Sequence, residues 1–206
     1  MANRVAIIDY GLCNVDSAAR AIEECGGKPT ITDDPGDLAS ADRIVLPGVG
    51  AFPDAMSNLH KLELSDAVRQ QVLSEGAPLL GICLGMQLLA TVGEEVSPTP
   101  GLGLVDATVT RLVATANDRR VPHMGWNEVY PSDGCRLFDG IEPGSDFYFV
   151  HSFHMVCGDP ASVAATTPYC DGFTSAVNID NIFGVQFHPE KSQQVGFQLL
   201  RNFLEI

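Results

Sequence analysis

Basic residues are scarce in this chain: twelve lysines and arginines stand against 26 acidic residues, leaving a net charge of −14. Such a surface repels phosphate, which argues against nucleic acid and anionic membrane as partners. Long apolar runs are lacking too. No stretch approaches the roughly 18 uninterrupted apolar residues of a membrane span, and Val5-Ala6-Ile7-Ile8 is too short for the core of a secretion signal. The six cysteines (Cys13, Cys25, Cys83, Cys135, Cys157 and Cys170) show no CxxC spacing, so free thiols in a reducing cytoplasm are expected. His123, His151 and His154 have no zinc-ligand spacing, and no Walker-type phosphate loop is present, so neither a metal nor a cofactor is expected. Internal repeats and a linker are absent as well.

What remains is a chain rich in core material. Of 206 residues, 45% are hydrophobic and only 18% charged. A chain of this length buries about 70% of its extended-state surface, enough for one domain spanning residues 1–206. The balance suits an α/β protein whose central strands are covered on both faces. Val5 to Asp9 reads as a strand, Ser17 to Cys25 as a helix closed by Gly26-Gly27, Pro29 to Thr32 and Arg43 to Leu46 as strands, and Leu59 to Ser74 as a helix. Leu79 to Ile82 is a further strand. This alternation predicts a mostly parallel, doubly wound sheet flanked by helices, with catalytic groups at the carboxyl ends of its strands. After Ser97-Pro98-Thr99-Pro100-Gly101 the pattern shifts to short alternating strands: Asp106 to Val113, Asn127 to Tyr130, Phe147 to Val150, Ser162 to Thr167 and Phe173 to Asn178. These predict an additional antiparallel section. Ile182 to Phe187 is a last strand and Gln194 to Leu204 an amphipathic helix.

Chemistry concentrates where strand turns to helix at Gly81-Ile82-Cys83-Leu84-Gly85. This is the thiol form of a nucleophile elbow, in which small neighbours let the chain bend and expose the side chain. A helix beginning at the sulfur favours thiolate, the attacking form. Downstream, His188-Pro189-Glu190 supplies an imidazole and a carboxylate, and an extended chain sends residues two apart to one side. His188 then serves as general base and Glu190 orients it. The Leu84 amide is one oxyanion donor, and Val49-Gly50 of the Pro47-Gly48-Val49-Gly50 loop supplies the second. Gln87, one turn beyond Cys83, faces a polar substrate. Taken singly, Cys83 is a small core hydrophobe, His188 a strand cap, Glu190 a solvated charge, and Gly48 and Gly50 ordinary turn residues. The elbow and the His-x-Glu pair together favour nucleophilic catalysis.

Gly81-Ile82-Cys83-Leu84-Gly85-Met86-Gln87 and Gly184-Val185-Gln186-Phe187-His188-Pro189-Glu190, in that order, resemble the two signatures of the class I, or triad, glutamine amidotransferases. Pro47-Gly48-Val49-Gly50 is similar to that family's oxyanion loop. The resemblance implies that Cys83 forms a glutamyl thioester from L-glutamine, His188 relays the proton and Glu190 holds His188. Asp9-Tyr10-Gly11, Pro122-His123-Met124-Gly125-Trp126-Asn127, Tyr148-Phe149-Val150-His151-Ser152 and His188-Pro189-Glu190-Lys191-Ser192 resemble a histidine-pathway branch of the family. Its members hand ammonia to a separate cyclase subunit, a βα-barrel, in a heterodimer. By this resemblance Gly48, Gln87, Ser152 and Phe153 adjoin the bound glutamine, and Asn14, Trp126, Tyr148 and Lys191 face the cyclase. Read without it, Trp126 and Tyr148 are core aromatics and Lys191 a solvated charge. Cys13 stands where the family usually has glycine; a positive φ there would add strain. The triad leaves open the same glutaminase serving a different synthase, such as one amidating a surface sugar, or a catalytically silent scaffold.

Overall fold

Alternate residues of the first strand face opposite ways, and each side finds its own core. Val5 and Ile7 pack with Ala18, Ile22, Leu199 and Phe203, whereas Ala6 and Ile8 pack with Leu38, Phe52, Leu59 and Val68. A strand covered on both faces is what its unbroken apolar run requires. The computed structural model describes residues 3–116, 118 and 120–206.

The elements in chain order are β1 (Arg4–Ile8), α1 (Val15–Glu24), β2 (Lys28–Thr32), β3 (Arg43–Gly48), α2 (Phe52–Lys61), α3 (Leu64–Leu73), β4 (Leu79–Cys83) and α4 (Leu84–Leu88). There follow β5 (Ala90–Gly93), β6 (Thr99–Pro100), β7 (Val105–Arg111), β8 (His123–Pro131), β9 (Ser145–His151), β10 (Phe153–Cys157), β11 (Val163–Thr167), β12 (Phe173–Ile179), β13 (Ile182–Val185) and α5 (Gln193–Glu205). Strands β2, β1, β3, β4 and β13 lie side by side in that order, all parallel. Beyond β13 the sheet continues antiparallel through β12, β10 and β7, and β11 carries the β8–β9 hairpin off β12. The mostly parallel sheet with an antiparallel extension is therefore as the alternation predicts.

One expectation is corrected, and two features go beyond the sequence reading. The Leu59 to Ser74 helix is two helices, because Glu63 takes φ 58° between α2 and α3 and a left-handed residue cannot continue an α-helix. The helix after Cys83 is only five residues long before the chain re-enters the sheet as β5. Its influence on the sulfur comes from its first unpaired amides rather than from a long dipole. The run Phe153–Cys157, which the pattern does not mark, is strand β10, paired along β7. Among the described residues no helix is long and apolar enough to cross a membrane.

Register sets the site. Gly48 lies directly across from Cys83, and Val185 across from Ile82. The loop after β3, the elbow after β4 and the segment after β13 therefore leave the sheet side by side at its carboxyl edge.

Candidate active site

Cys83 ends β4 with φ 55° and ψ −110°, a conformation that L-residues avoid. The turn is possible because its flanks have no side chains. A Cβ on Gly81 would come within 2.7 Å of the Gly85 carbonyl oxygen, and one on Gly85 would overlap the Leu46 carbonyl oxygen. The two glycines thus let helix and strand pack backbone to backbone, and the strain falls on the cysteine.

His188 is buried, 3% exposed. Its backbone is stitched to β9: His188 N donates to Tyr148 O at 2.9 Å, Tyr148 N donates to Ser192 Oγ at 3.0 Å, and that hydroxyl donates to His188 O at 2.6 Å. The ring's Nδ1 meets Glu190 Oε1 at 2.8 Å, and the Glu190 side chain is itself only 6% exposed. The sequence argument placed these two groups together by strand alternation. In the structure Pro189–Lys191 is instead a 3-10 turn that starts from His188, which bends the carboxylate back under the ring. Burial alone would push the His188 imidazole down, but the adjacent Cys83 sulfur and then Glu190 reverse this and hold its pKa at about 10. His188 Nε2 has no other partner. The arrangement is a buried imidazolium with a carboxylate at one nitrogen and a sulfur at the other.

In front of the sulfur is a cavity of about 370 Å³, walled by Cys83, Leu84, Val49, Gly50, Gln87 and Glu95 on one side and by Pro122 and Val150 to Phe153 on the other. Ser152 and Phe153 thus reach the cavity. Gly48 does not line it; a Cβ there would strike the Tyr10 hydroxyl and come within 3.0 Å of Leu84 Cβ. Leu84, the first residue of α4, has an amide with no intrahelical partner. Val49 N is already engaged, donating to Leu12 O at 2.8 Å. Gly50 beside it has φ 114°, which a side chain would resist. Gln87 turns inward, its Nε2 donating to Phe153 O at 3.0 Å and to Gln186 Oε1 at 2.9 Å.

Trp126 and Tyr148 are cross-strand partners with rings 6.0 Å apart, edge to face, and Lys191 Nζ sits 5.9 Å from the Tyr148 ring centre. Trp126 is 47% exposed, so the core-aromatic reading is wrong for it. Asn14 caps α1, its Oδ1 accepting Ser17 N at 3.4 Å. Cys13 carries no positive φ, and its thiol donates to Asp9 Oδ1 at 3.3 Å and to Ile8 O at 3.6 Å, so the strain expected there is absent.

Sequence reasoning missed two residues at the site. Glu95, the acidic residue in the cavity wall, also accepts the Phe52 amide at 2.7 Å, tying it to the start of α2. Gln186, fully buried, directs Nε2 at Cys83 Sγ from 3.7 Å. A polar residue two before His188 in an otherwise apolar strand run was the available signal for Gln186; for Glu95, one acid among 26, there was none.

The profile of the family described as glutamine amidotransferase class-I matches residues 6–206. Among curated relatives, the imidazole glycerol phosphate synthase subunit HisH of Moorella thermoacetica is 48% identical over 98% of this chain and 94% of its own. The HisH 2 subunit of Methanococcus maripaludis is 45% identical over 98% of both chains. Among solved structures, one titled as a glutamine amidotransferase superposes with a TM-score of 0.77 at 20% identity, covering 98% of this chain and 97% of its own. PurLQS from Thermotoga maritima superposes with 0.75 at 19%, covering 100% and 99%. At such identities these two speak to the fold alone.

Proposed function

The chain belongs to the class-I glutamine amidotransferases, and from that premise we propose that it is the glutaminase subunit of an imidazole glycerol phosphate synthase. Residues 1–206 act as one domain that hydrolyses L-glutamine and passes ammonia to a cyclase partner for histidine biosynthesis. The observation that supports this most is the buried His188, fixed by Glu190 at 2.8 Å with its other nitrogen free for the elbow cysteine.

In this reading the Cys83 thiolate attacks the side-chain carbonyl carbon of glutamine, forming a C–S bond and an oxyanion. His188 gives its proton to the amide nitrogen; the C–N bond breaks, and ammonia leaves with a glutamyl thioester behind. Water, deprotonated by His188, then attacks the thioester. Glutamate departs and the thiolate is restored. Glu190 stabilises the imidazolium throughout and keeps Nε2 directed at the sulfur. Glu95 in the cavity wall offers a carboxylate to the α-ammonium group of the substrate.

Oxyanion support is half built. The Leu84 amide has no partner within its helix, whereas the Val49 amide is spent on Leu12. A missing donor costs about 3 kcal/mol of transition-state stabilisation, so free glutamine is turned over slowly. Partner binding turns the Val49–Gly50 segment, breaks the bond to Leu12 and completes the hole. The face carrying Trp126, Tyr148 and Lys191, with Asn14, receives the cyclase.

The test mixes the chain with a histidine-pathway cyclase and its nucleotide substrate. Glutamine should support formation of imidazole glycerol phosphate, and glutamate release should rise well over tenfold when the cyclase ligand is added. Cys83→Ala should abolish glutamine-dependent product while added ammonia still supports it. No response to the cyclase, with intact glutaminase, would assign the chain to another synthase.

A further inference from the structure

The sulfur of Cys83 has a side-chain donor outside the triad, the Nε2 of Gln186 at 3.7 Å. An amide can turn end for end, and Gln186 alone does not dictate that nitrogen rather than oxygen faces sulfur. Its neighbours do. Gln87 Nε2 lies against two oxygens, Phe153 O at 3.0 Å and Gln186 Oε1 at 2.9 Å, and a backbone carbonyl can only accept. Gln87 is therefore the donor, Gln186 Oε1 the acceptor, and Gln186 Nε2 is left for the sulfur. Strand parity explains the placement. Gly184 and Gln186 share the face of β13 and its extension that meets α4, where a Cβ on Gly184 would touch Met86, and Gln87 comes from that helix.

The directions run on outward. Phe153 O also accepts His151 Nδ1–H at 2.8 Å, so the neutral His151 ring offers Nε2 as an acceptor to His123 Nδ1–H at 3.0 Å. His123 Nε2 in turn accepts Asn127 Nδ2–H at 3.1 Å. Both rings are neutral because burial holds His123 at about 4 and His151 at about 3. Every donor and acceptor from Asn127 on β8 to Cys83 is thereby assigned.

We infer that Gln186 is a positioning residue for the nucleophile: its N–H, oriented by Gln87, holds Cys83 Sγ on the elbow and favours the thiolate over the thiol. This rests on Cys83 being the glutaminase nucleophile. The physical ground is that a thiol is a weak acceptor and a thiolate a strong one, so a fixed donor stabilises the anion selectively. The ionisable groups around the sulfur are His188 with Glu190 behind it, Tyr10 just beyond β1, and the neutral His151 in the cavity wall. The hydrogen bonds of Gln186 go to Ser175, Gln87 and Cys83 rather than to any of these groups, so its removal reads out separately.

The experiment measures iodoacetamide labelling of Cys83, located by peptide mass spectrometry, against pH in the full chain, together with glutamine turnover in the cyclase complex. Gln186→Met keeps length and removes the donor. The midpoint of labelling should rise by about one pH unit, and kcat should fall about tenfold with KM for glutamine nearly unchanged, as expected for one hydrogen bond to an anion. Gln87→Met, which frees Gln186 to turn, should move the midpoint the same way by less, and it carries the test if Gln186→Met does not fold. An unchanged midpoint in a variant that melts normally would overturn the positioning role and leave the triad intact. No labelling of Cys83 in the natural chain at any pH would remove the nucleophile itself and the inference with it.

Discussion

Two buried histidine sites lie close to the cavity beside Cys83, and they differ in charge: one is cationic, the other neutral. His188 is 3% exposed, His123 3% and His151 6%, so burial does not separate them. Partners do. His188 sits between a carboxylate and a sulfur and is held up to about 10; His151 sits between a carbonyl oxygen and a second imidazole and is held down to about 3. A buried imidazole keeps its proton where an anion compensates the lost water and releases it where only neutral groups are offered. One site can therefore move protons while the other can only hold directions. That division fits their places in the fold: His188 follows a strand of the parallel block, and the neutral pair spans β8 and β9 of the antiparallel wing.

The comparison breaks most readily at His188. His188→Asn should lower kcat for glutamine by about 10²- to 10⁴-fold, the range a positioned acid–base contributes, with KM little changed. If His123→Phe lowered kcat as far, the two sites would be doing the same work and the distinction would fail. Glu190→Gln should come next. It removes the anion while keeping the shape, so kcat should drop by about 10², at the low end of that range. The His188 ring proton, followed by NMR, should titrate well below about 10. An unmoved titration would mean that the sulfur alone sustains the cation.

The parallel block was the more legible half, because its information is local. Val5 to Asp9, Arg43 to Leu46 and Leu79 to Ile82 announce themselves as short apolar runs, and Gly81 and Gly85 mark the elbow because only glycine fits beside the Gly85 and Leu46 carbonyls. Boundaries slipped where tertiary packing overrode pattern. Leu84 to Ala90 has the composition of a helix, yet helix ends at Leu88 and Ala90 pairs with Val105 in β5. Glu63 splits a periodic run through a backbone conformation that nothing in its side chain requires. In the antiparallel wing the decisive facts are pairings between distant residues: His123 opposite His151, Trp126 opposite Tyr148 and Met155 opposite Val109. No spacing rule points to these. The three histidines invited a metal search by spacing, when what joins two of them is cross-strand register.

The smallest expected effect is the sharpest probe of the neutral site. His123 and His151 bind protons in the unfolded chain near 6.5 but in the folded chain only near 4 and 3. Between those values the unfolded state holds more protons, so stability rises with pH there. The contribution is complete above about 6.5 and is lost progressively as pH falls toward 4 and below. His123→Phe keeps a ring to stack on Tyr169, 4.0 Å away in the natural chain, but removes the donor to His151 Nε2. At pH 7.5 the variant should be less stable by about 1–3 kcal/mol, the cost of a buried acceptor left unpaired. On acidification to pH 5 that deficit should shrink, because the natural chain loses stability through two suppressed histidines and the variant through one. Urea melts of both chains at pH 7.5, 6 and 5 measure the gap. Parallel loss at all three would mean that His123 carries its proton in the folded state, and the contrast with His188 would then rest on geometry alone.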